Sequence, residues 1–481
     1  MNHFIDELIE KLGVNSLIVD VEQKKFYETD HRGLHFDEAV CVILPRNTEE
    51  VSSAVIICQK HKVKIVPQAG NTGLTGGSTP LTLDKHGNAI GPQAVISVAR
   101  LNQIEEIDTV GNSMTVGAGC ILQNIHQAAE EQNRFFPLKL GAWGSCQIGG
   151  NISTNAGGVN VLAYGNTRAL VLGLEVVLAD GSIWSGLSKL HKDNTGFDLK
   201  QLFIGGEGLI GIVTKAVIKL FPLPTNKATV FSAINCPSDG LNILNRLKIL
   251  PQGLLTSIEL IPRVFIEHGE KVVEGLKNPF DKTHPWYLLT EHSLFIPDSD
   301  DKANRATHDA ILQSYGELLE QGLIQDAAIA QSEQQTHDFW LIREGTTPTQ
   351  ASLGASIKHD VSVPVHLVPE LITLGMTELG KVVPNCRPLP FGHLGDGNLH
   401  FNVCQPEDMS ANDFRAKTDE VNKCLHDVVI GLGGSISAEH GIGRLRREEL
   451  ARVKTPVELQ LLKQVKTALD PNCVFNPGKV L

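Results

Sequence analysis

Phe391 to Val403 reads Phe-Gly-His-Leu-Gly-Asp-Gly-Asn-Leu-His-Phe-Asn-Val, and it narrows the fold more than any other stretch of the chain. Gly395 and Gly397 sit in a Gly-Asp-Gly-Asn turn, where they permit a tight reversal that residues with a Cβ resist. After the turn the residues alternate, with Leu399, Phe401 and Val403 apolar and His400 and Asn402 polar. Period two predicts a strand with the polar pair on one face and the apolar set on the other. The reversal brings His393 back toward that polar face. Two neutral imidazoles converging in this way form half of a zinc site.

Downstream, Ser437-Ala438-Glu439-His440-Gly441-Ile442-Gly443 sets a carboxylate beside an imidazole. Glu439 would complete a set of two histidines and one carboxylate with an open position, the donor pattern of catalytic rather than structural zinc. His440 is then left for acid–base work. On spacing alone a second reading stands beside this one, in which His393 and His400 are hydrogen-bonded histidines flanking a turn.

Composition excludes several classes. A chain of 481 residues is long enough for two or three domains, and 42% apolar with 20% charged residues is ordinary for a globular protein. A net charge of −12 without a Lys/Arg block speaks against nucleic acid. No apolar run is long enough to span a bilayer. The start, Met1 to Leu8, carries acidic residues and resembles neither a secretory signal nor a transit peptide. Nine scattered cysteines without a Cys-x-x-Cys pair point to reduced thiols and a cytoplasmic setting, not to a disulfide frame.

In chain order, Phe4, Leu8, Ile9 and Leu12 recur at helical spacing. Ala39 to Leu44 is an apolar run, Thr48-Glu49-Glu50-Val51 starts a helix to about Lys60, and Val63 to Pro67 alternates as a strand. The loop Gln68 to Ser78 follows directly. Rich in Gly, Asn and Thr, it exposes consecutive backbone N–H groups suited to a pyrophosphate, and it lacks the Gly-Lys-Ser/Thr of a Walker loop. Gly141 to Gly165 is a second Gly-rich region, where small residues let a ring lie against the backbone and Ile148, Ile152 and Val159 argue against a linker. Gly206-Glu207-Gly208-Leu209-Ile210-Gly211 is a literal GxGxxG, but the β-branched run Ile212 to Leu220 follows it. A strand there rules out a nicotinamide Rossmann site, which needs a helix.

Pro222-Leu223-Pro224 marks a domain boundary. Beyond it, Thr229 to Ile234 and Trp286 to Thr290 alternate among helical segments, which predicts an α+β domain with an antiparallel sheet and helices on one side. If Trp340 to Thr347 is one helix, Arg343 and Thr347 share a face at i, i+4. Ala355 to Val365 alternates, with Lys358 and Asp360 on one face. Arg343 and Lys358 would meet an anionic substrate, or else are two solvated surface charges; from residues alone both readings remain.

Several of these stretches together resemble a known family. The loop Pro67 to Leu74 looks like the flavin pyrophosphate loop of the vanillyl-alcohol-oxidase / p-cresol-methylhydroxylase superfamily. Gly149 to Gly158, Lys192 to Leu199, Gly392 to His400 and Ser437 to Gly441 resemble FAD-dependent D-2-hydroxyacid dehydrogenases, with the D-2-hydroxyglutarate group nearest and D-lactate dehydrogenases close by. The resemblance runs in order from about Ala39 to the C-terminus.

It implies an α+β protein: a two-part FAD-binding domain of the p-cresol-methylhydroxylase type over residues 1–222, its core starting at about 37; a substrate domain with a seven-stranded antiparallel sheet over 223–425; and a C-terminal helical segment, 426–481, returning to the flavin. It assigns non-covalent FAD to Pro67, Gly70, Asn71, Thr72, Gly73, Leu74, Gly141, Ser145, Gly149, Gly150, Asn151, Thr154, Asn155, Gly157, Gly158, Gly211, Ile212 and Asn476. It puts Zn2+ or another divalent metal on His393, His400 and Glu439, makes His440 the catalytic base, and sets Arg343, Thr347, Lys358, Asn402 and His440 around the substrate. The expected reaction takes a D-2-hydroxyacid to the 2-oxoacid by hydride transfer to flavin N5, with an electron-transfer flavoprotein or quinone-linked acceptor as partner; a homodimer is compatible with it. D-lactate or D-malate as substrate, or a metal-free flavin alcohol oxidase, are the competing expectations. Thr346 to Gly354 is richer in Gly, Pro and Thr than the helix expected there, which leaves the acid's identity open.

Overall fold

The computed structural model describes every residue except 85, 251, 252, 297 and 298. The chain forms two units, one made of Met1–Gly157, Gly165–Pro222 and Glu439–Leu481, the other of Gly158–Tyr164 and Leu223–Ala438. The C-terminal return therefore starts at Glu439 rather than 426. The reason is the helix Thr418–Gly431, whose Val421, Leu425 and Val429 are fully buried in the second unit's core.

In the first unit, helix Asn2–Leu12 buries Phe4, Leu8 and Leu12, whereas Ile9 stays on its exposed side. A four-stranded sheet sets the parallel strands Cys41–Ile43, Gln93–Ser97 and Lys64–Gln68 side by side, with Leu17–Ile18 antiparallel at one edge. Helix Thr48–Lys60 connects two of them. Its N-cap is Asn47, one residue earlier than the sequence pattern suggests, because the Asn47 side chain accepts the Glu50 N–H. A five-stranded antiparallel sheet runs in the order Ile104–Asp108, Ser113–Gly117, Ile212–Lys219, Val171–Val177, Ile183–Gly186. Its middle strand, Ile212–Lys219, is the one that follows the GxGxxG sequence. The C-terminal stretch is stitched to Lys64–Gln68 by Ile65 N–H to Val474 O and Asn476 N–H to Ile65 O, each 2.8 Å.

The second unit is built on an eight-stranded antiparallel sheet. Its order is Asp326–Ile329, Asn226–Ile234, Trp286–Leu294, Leu254–Pro262, Arg387–His393, Asn398–Cys404 and Ser356–Ile357, with Val361–Ser362 also pairing with Asn398–Cys404. The expected seventh-strand edge is thus two short strands, Ser356–Ile357 and Val361–Ser362, on one neighbour. The expectation of helices on one side is overturned, since both faces are covered. Val230, Ile234 and Leu288 pack with helices Pro237–Leu247, Val368–Val382 and Thr418–Gly431, while Phe231, Tyr287 and Leu289 pack with Phe265, Phe339 and Trp340. With apolar residues on both faces, the central strands read as buried runs rather than a polar–apolar alternation.

Gly345 separates helix Glu333–Glu344 from helix Thr346–Ser352. Arg343 and Thr347 therefore fall in two successive helices, although Gly345 between them keeps right-handed helical dihedrals. Pro348 is tolerated because it falls in the first turn of the second helix, where its missing N–H costs no bond. Among the described residues no helix is long and apolar enough to cross a membrane.

Candidate active site

The first unit contains a cavity open to solvent, with about 890 Å3 of atom-free space counting the solvent at its mouth. The loop after strand Lys64–Gln68 supplies Pro67, Gly70, Asn71, Thr72 and Gly73 to its wall; helix Ile148–Thr154 supplies Gly149, Gly150, Asn151 and Thr154; Gly211, Ile212, His440 and Asn476 complete the set named from sequence. Leu74, Gly141, Ser145, Asn155 and Gly157 do not line it. Gly141 and Ser145 are exposed, and Asn155 is the left-handed cap of its helix, with its side-chain oxygen accepting the Arg168 N–H. Gly158 belongs to the second unit.

The lining also includes Gln68, Thr75, Ser78, Gln147, Ser153 and Glu207, which sequence reasoning missed. Gln68 Oε1, Gln147 Oε1 and Asn151 Oδ1 are buried here without a hydrogen-bond partner among the described residues. Buried acceptors left unpaired are costly, so this wall fits a ligand that brings donors, as a flavin dinucleotide does.

Around the cavity, Glu207 shapes the segment that carries His440. One carboxylate oxygen accepts the Ile442 N–H at 2.8 Å and the other the Gly443 N–H at 2.7 Å. Burial pushes the Glu207 carboxyl above its ordinary range, and these two N–H groups oppose the push. The buried Lys479 donates to Gly77 O and Asn476 Oδ1, and burial followed by the Arg444 charge pushes its ammonium down to about 7. A Cβ on Gly157 would lie 2.7 Å from Glu439 Oε1, so this glycine is what lets the Glu439 carboxylate approach the backbone.

In the second unit, strands Arg387–His393 and Asn398–Cys404 form the hairpin the sequence predicts, pairing Phe391 with His400 and His393 with Asn398. Gly397, with φ 84°, is the residue the turn requires; Gly395 has no positive φ and is instead packed against Leu162 and Ile258. His393 and His400 lie on one face, their ring centroids 5.7 Å apart and their ligand nitrogens within 4.8 Å. A carboxylate oxygen of the fully buried Asp360 also comes within 4.8 Å of a His400 ligand nitrogen.

Glu259 was not singled out from sequence. It stands opposite His393 in the neighbouring strand Leu254–Pro262, is 1% exposed, and accepts from His393 Nδ1 and Arg343 Nε at 2.5 Å each. Burial favours its neutral form, but the facing His393 ring and Arg343 guanidinium outweigh burial and hold the carboxyl well below the usual range. A lone acid inside the apolar run Ile258-Glu259-Leu260-Ile261 was the signal available.

Arg343 also lies over the Phe391 ring, 5.2 Å from its centroid. Its two Nη groups have no hydrogen-bond partner among the described residues. Thr347 and Lys358 are exposed, Thr347 at the start of the helix after Gly345 and Lys358 between the two short edge strands. Asn402 is buried, held by the His359 N–H and Gln350 Oε1.

Residues 223–480 match the family model described as FAD linked oxidases, C-terminal domain, and residues 39–186 match the FAD binding domain. The chain is 36% identical to a probable mitochondrial D-2-hydroxyglutarate dehydrogenase of Oryza sativa subsp. indica, over 98% of this chain and 80% of that one. It is 36% identical to the D-2-hydroxyglutarate dehydrogenase of Xanthomonas citri pv. viticola, over 92% and 89%, and 34% identical to that of Stutzerimonas stutzeri, over 99% and 98%. Among solved structures, p-cresol methylhydroxylase with substrate bound superposes with a TM-score of 0.70 at 16% identity, covering 100% of this chain and 96% of that one, a likeness of fold.

Proposed function

Because the chain belongs to the FAD-linked oxidases and, within them, to the D-2-hydroxyglutarate dehydrogenases, we propose that it oxidises a D-2-hydroxyacid, D-2-hydroxyglutarate before others, to the 2-oxoacid. The observation that carries this reading is the Arg343 guanidinium. It is pinned through Nε to a buried carboxylate, and its Nη fork is left open. A fork held in this way suits bidentate binding of a carboxylate. Lys358 provides a second cation, one for each carboxylate of a dicarboxylic acid, which favours D-2-hydroxyglutarate or D-malate over D-lactate.

His393 and His400 offer two converging nitrogens, and Glu439 is the third ligand of this reading. Imidazole and carboxylate donors fit zinc or a similar divalent ion. Bound FAD supplies the two-electron acceptor, and a bound divalent cation supplies a Lewis acid for the substrate oxygens. His440 takes the hydroxyl proton. Arg343, Lys358 and Asn402 fix the acid so that C2 is presented in one orientation. An electron-transfer flavoprotein or a quinone-linked carrier then reoxidises the protein. The nine cysteines are all unpaired, which suits a reducing compartment.

The test is an anaerobic titration of the yellow protein with D-2-hydroxyglutarate, D-malate and D-lactate. Bleaching with the dicarboxylic acids first is expected, and a flavin left oxidised by all three overturns the proposal. Exhaustive chelation should abolish bleaching while the flavin spectrum persists; bleaching that survives complete metal removal overturns the metal part.

A further inference from the structure

We propose that Glu259 is a positioning residue that sets His393 and Arg343 in register with each other, coupling retention of the metal to binding of the substrate carboxylate. The inference rests on the proposed function above. Its basis is which atoms the carboxylate engages. Glu259 takes His393 by Nδ1 and Arg343 by Nε, each at 2.5 Å, one carboxylate oxygen per partner. Both are the atoms that orient a side chain. The atoms that would do the work, Nε2 of the imidazole and the Nη pair of the guanidinium, lie on the far sides of the two groups.

Accepting the Nδ1 proton fixes the imidazole tautomer whose Nε2 carries a lone pair, which a metal ligand requires. The same carboxylate sets the azimuth of the guanidinium plane, and the Phe391 ring, 5.2 Å from Arg343 Cζ, supports that plane. Phe391 also packs on His400, ring centroids 5.1 Å apart, so it touches the second imidazole as well.

A merely stabilising role for Glu259 explains less. Its strand neighbours Ile258, Leu260 and Ile261 are core residues. A buried ionic group at such a position is often no better for stability than an apolar side chain of similar volume. A carboxylate shared by two groups of separate function is accounted for by their mutual placement.

The test is Glu259→Gln, read by metal content after dialysis and by KM separately from kcat. Glutamine has one accepting oxygen and one N–H2, so it keeps one contact at most. If the amide N–H2 faces His393, the ring proton moves to Nε2 and the ligand atom is lost; if it faces Arg343, two donors oppose each other. The expected result is metal affinity lowered about ten- to hundredfold, or KM for D-2-hydroxyglutarate raised about tenfold or more, with flavin content unchanged. Wild-type metal retention together with wild-type KM overturns the inference.

Glu259→Asp is the second variant, in case the glutamine protein does not fold. Shortened by one methylene, it keeps the charge but cannot span both partners, so at least one of the two readouts must shift; neither shifting overturns the inference. A wild-type protein that holds no metal, or that no hydroxyacid reduces, would instead overturn the proposed function. A competent wild type beside an unaltered variant overturns the role of Glu259 alone.

Discussion

Glu207→Gln is the sharpest probe of how the His440 segment is held. The wild-type carboxylate spans two consecutive backbone donors, Ile442 N–H at 2.8 Å and Gly443 N–H at 2.7 Å, in a half-buried setting. Glutamine keeps the shape but retains a single accepting oxygen, so one N–H then faces an amide N–H2. A hydrogen bond to a charged group contributes about 1.5–3 kcal/mol. Burial already pushes the Glu207 carboxyl toward its neutral form, so removing the charge offsets part of that loss. The net cost to the docked segment is about 1–2 kcal/mol, a factor of about 5–30 in its population. Stopped-flow reduction of the flavin by saturating D-2-hydroxyglutarate should slow by up to that factor. Since Glu207 also lines the cavity, the flavin content of the same preparation must be measured; it should stay near wild type, because the Glu207 backbone oxygen still accepts from Asn476 Nδ2 at 2.8 Å. An unchanged reduction rate in a flavin-replete variant would refute the reasoning.

Two further outcomes are expected. His440→Asn should slow flavin reduction about a hundredfold or more without changing metal content; a parallel loss of metal would make His440 a ligand instead. Lys479, held down to about 7 by burial, binds its proton more tightly in the unfolded chain, so wild-type stability should rise with pH between about 7 and 10.5. Lys479→Met removes that rise, and melting curves across this interval with equal slopes in the two proteins would count against it.

The candidate site was legible in pieces. The hairpin of His393 and His400 could be read because turn chemistry and period-two alternation are local: Gly397 needs its positive φ whatever the rest of the chain does. The pyrophosphate-type loop followed from glycines directly after an apolar strand, and its Pro67, Gly70, Asn71, Thr72 and Gly73 all reach the cavity wall. The GxGxxG sequence was correctly denied a helix, since Ile212–Lys219 is a strand. What the reading of that motif passed over was its acid, Glu207, whose partners Ile442 and Gly443 lie far along the chain. Asn155 and Gly157 sit in the same stretch with local duties of their own, one capping its helix and the other admitting Glu439.

Sequence by itself determined the parts whose physics is confined to neighbours in the chain: the glycine-lined loop, the histidine hairpin, the Glu439-His440 pair and the class of chemistry these donors suit. Tertiary structure alone decided which residues stand opposite one another. Glu259 and His393 are 134 residues apart, and only the pairing of Leu254–Pro262 with Arg387–His393 makes them partners. The same holds for the two-sided burial of the large sheet and for the division at Gly345 that puts Arg343 and Thr347 in successive helices. Backbone periodicity tells a strand which way its side chains alternate, but register and burial are set by whichever distant segment packs against it.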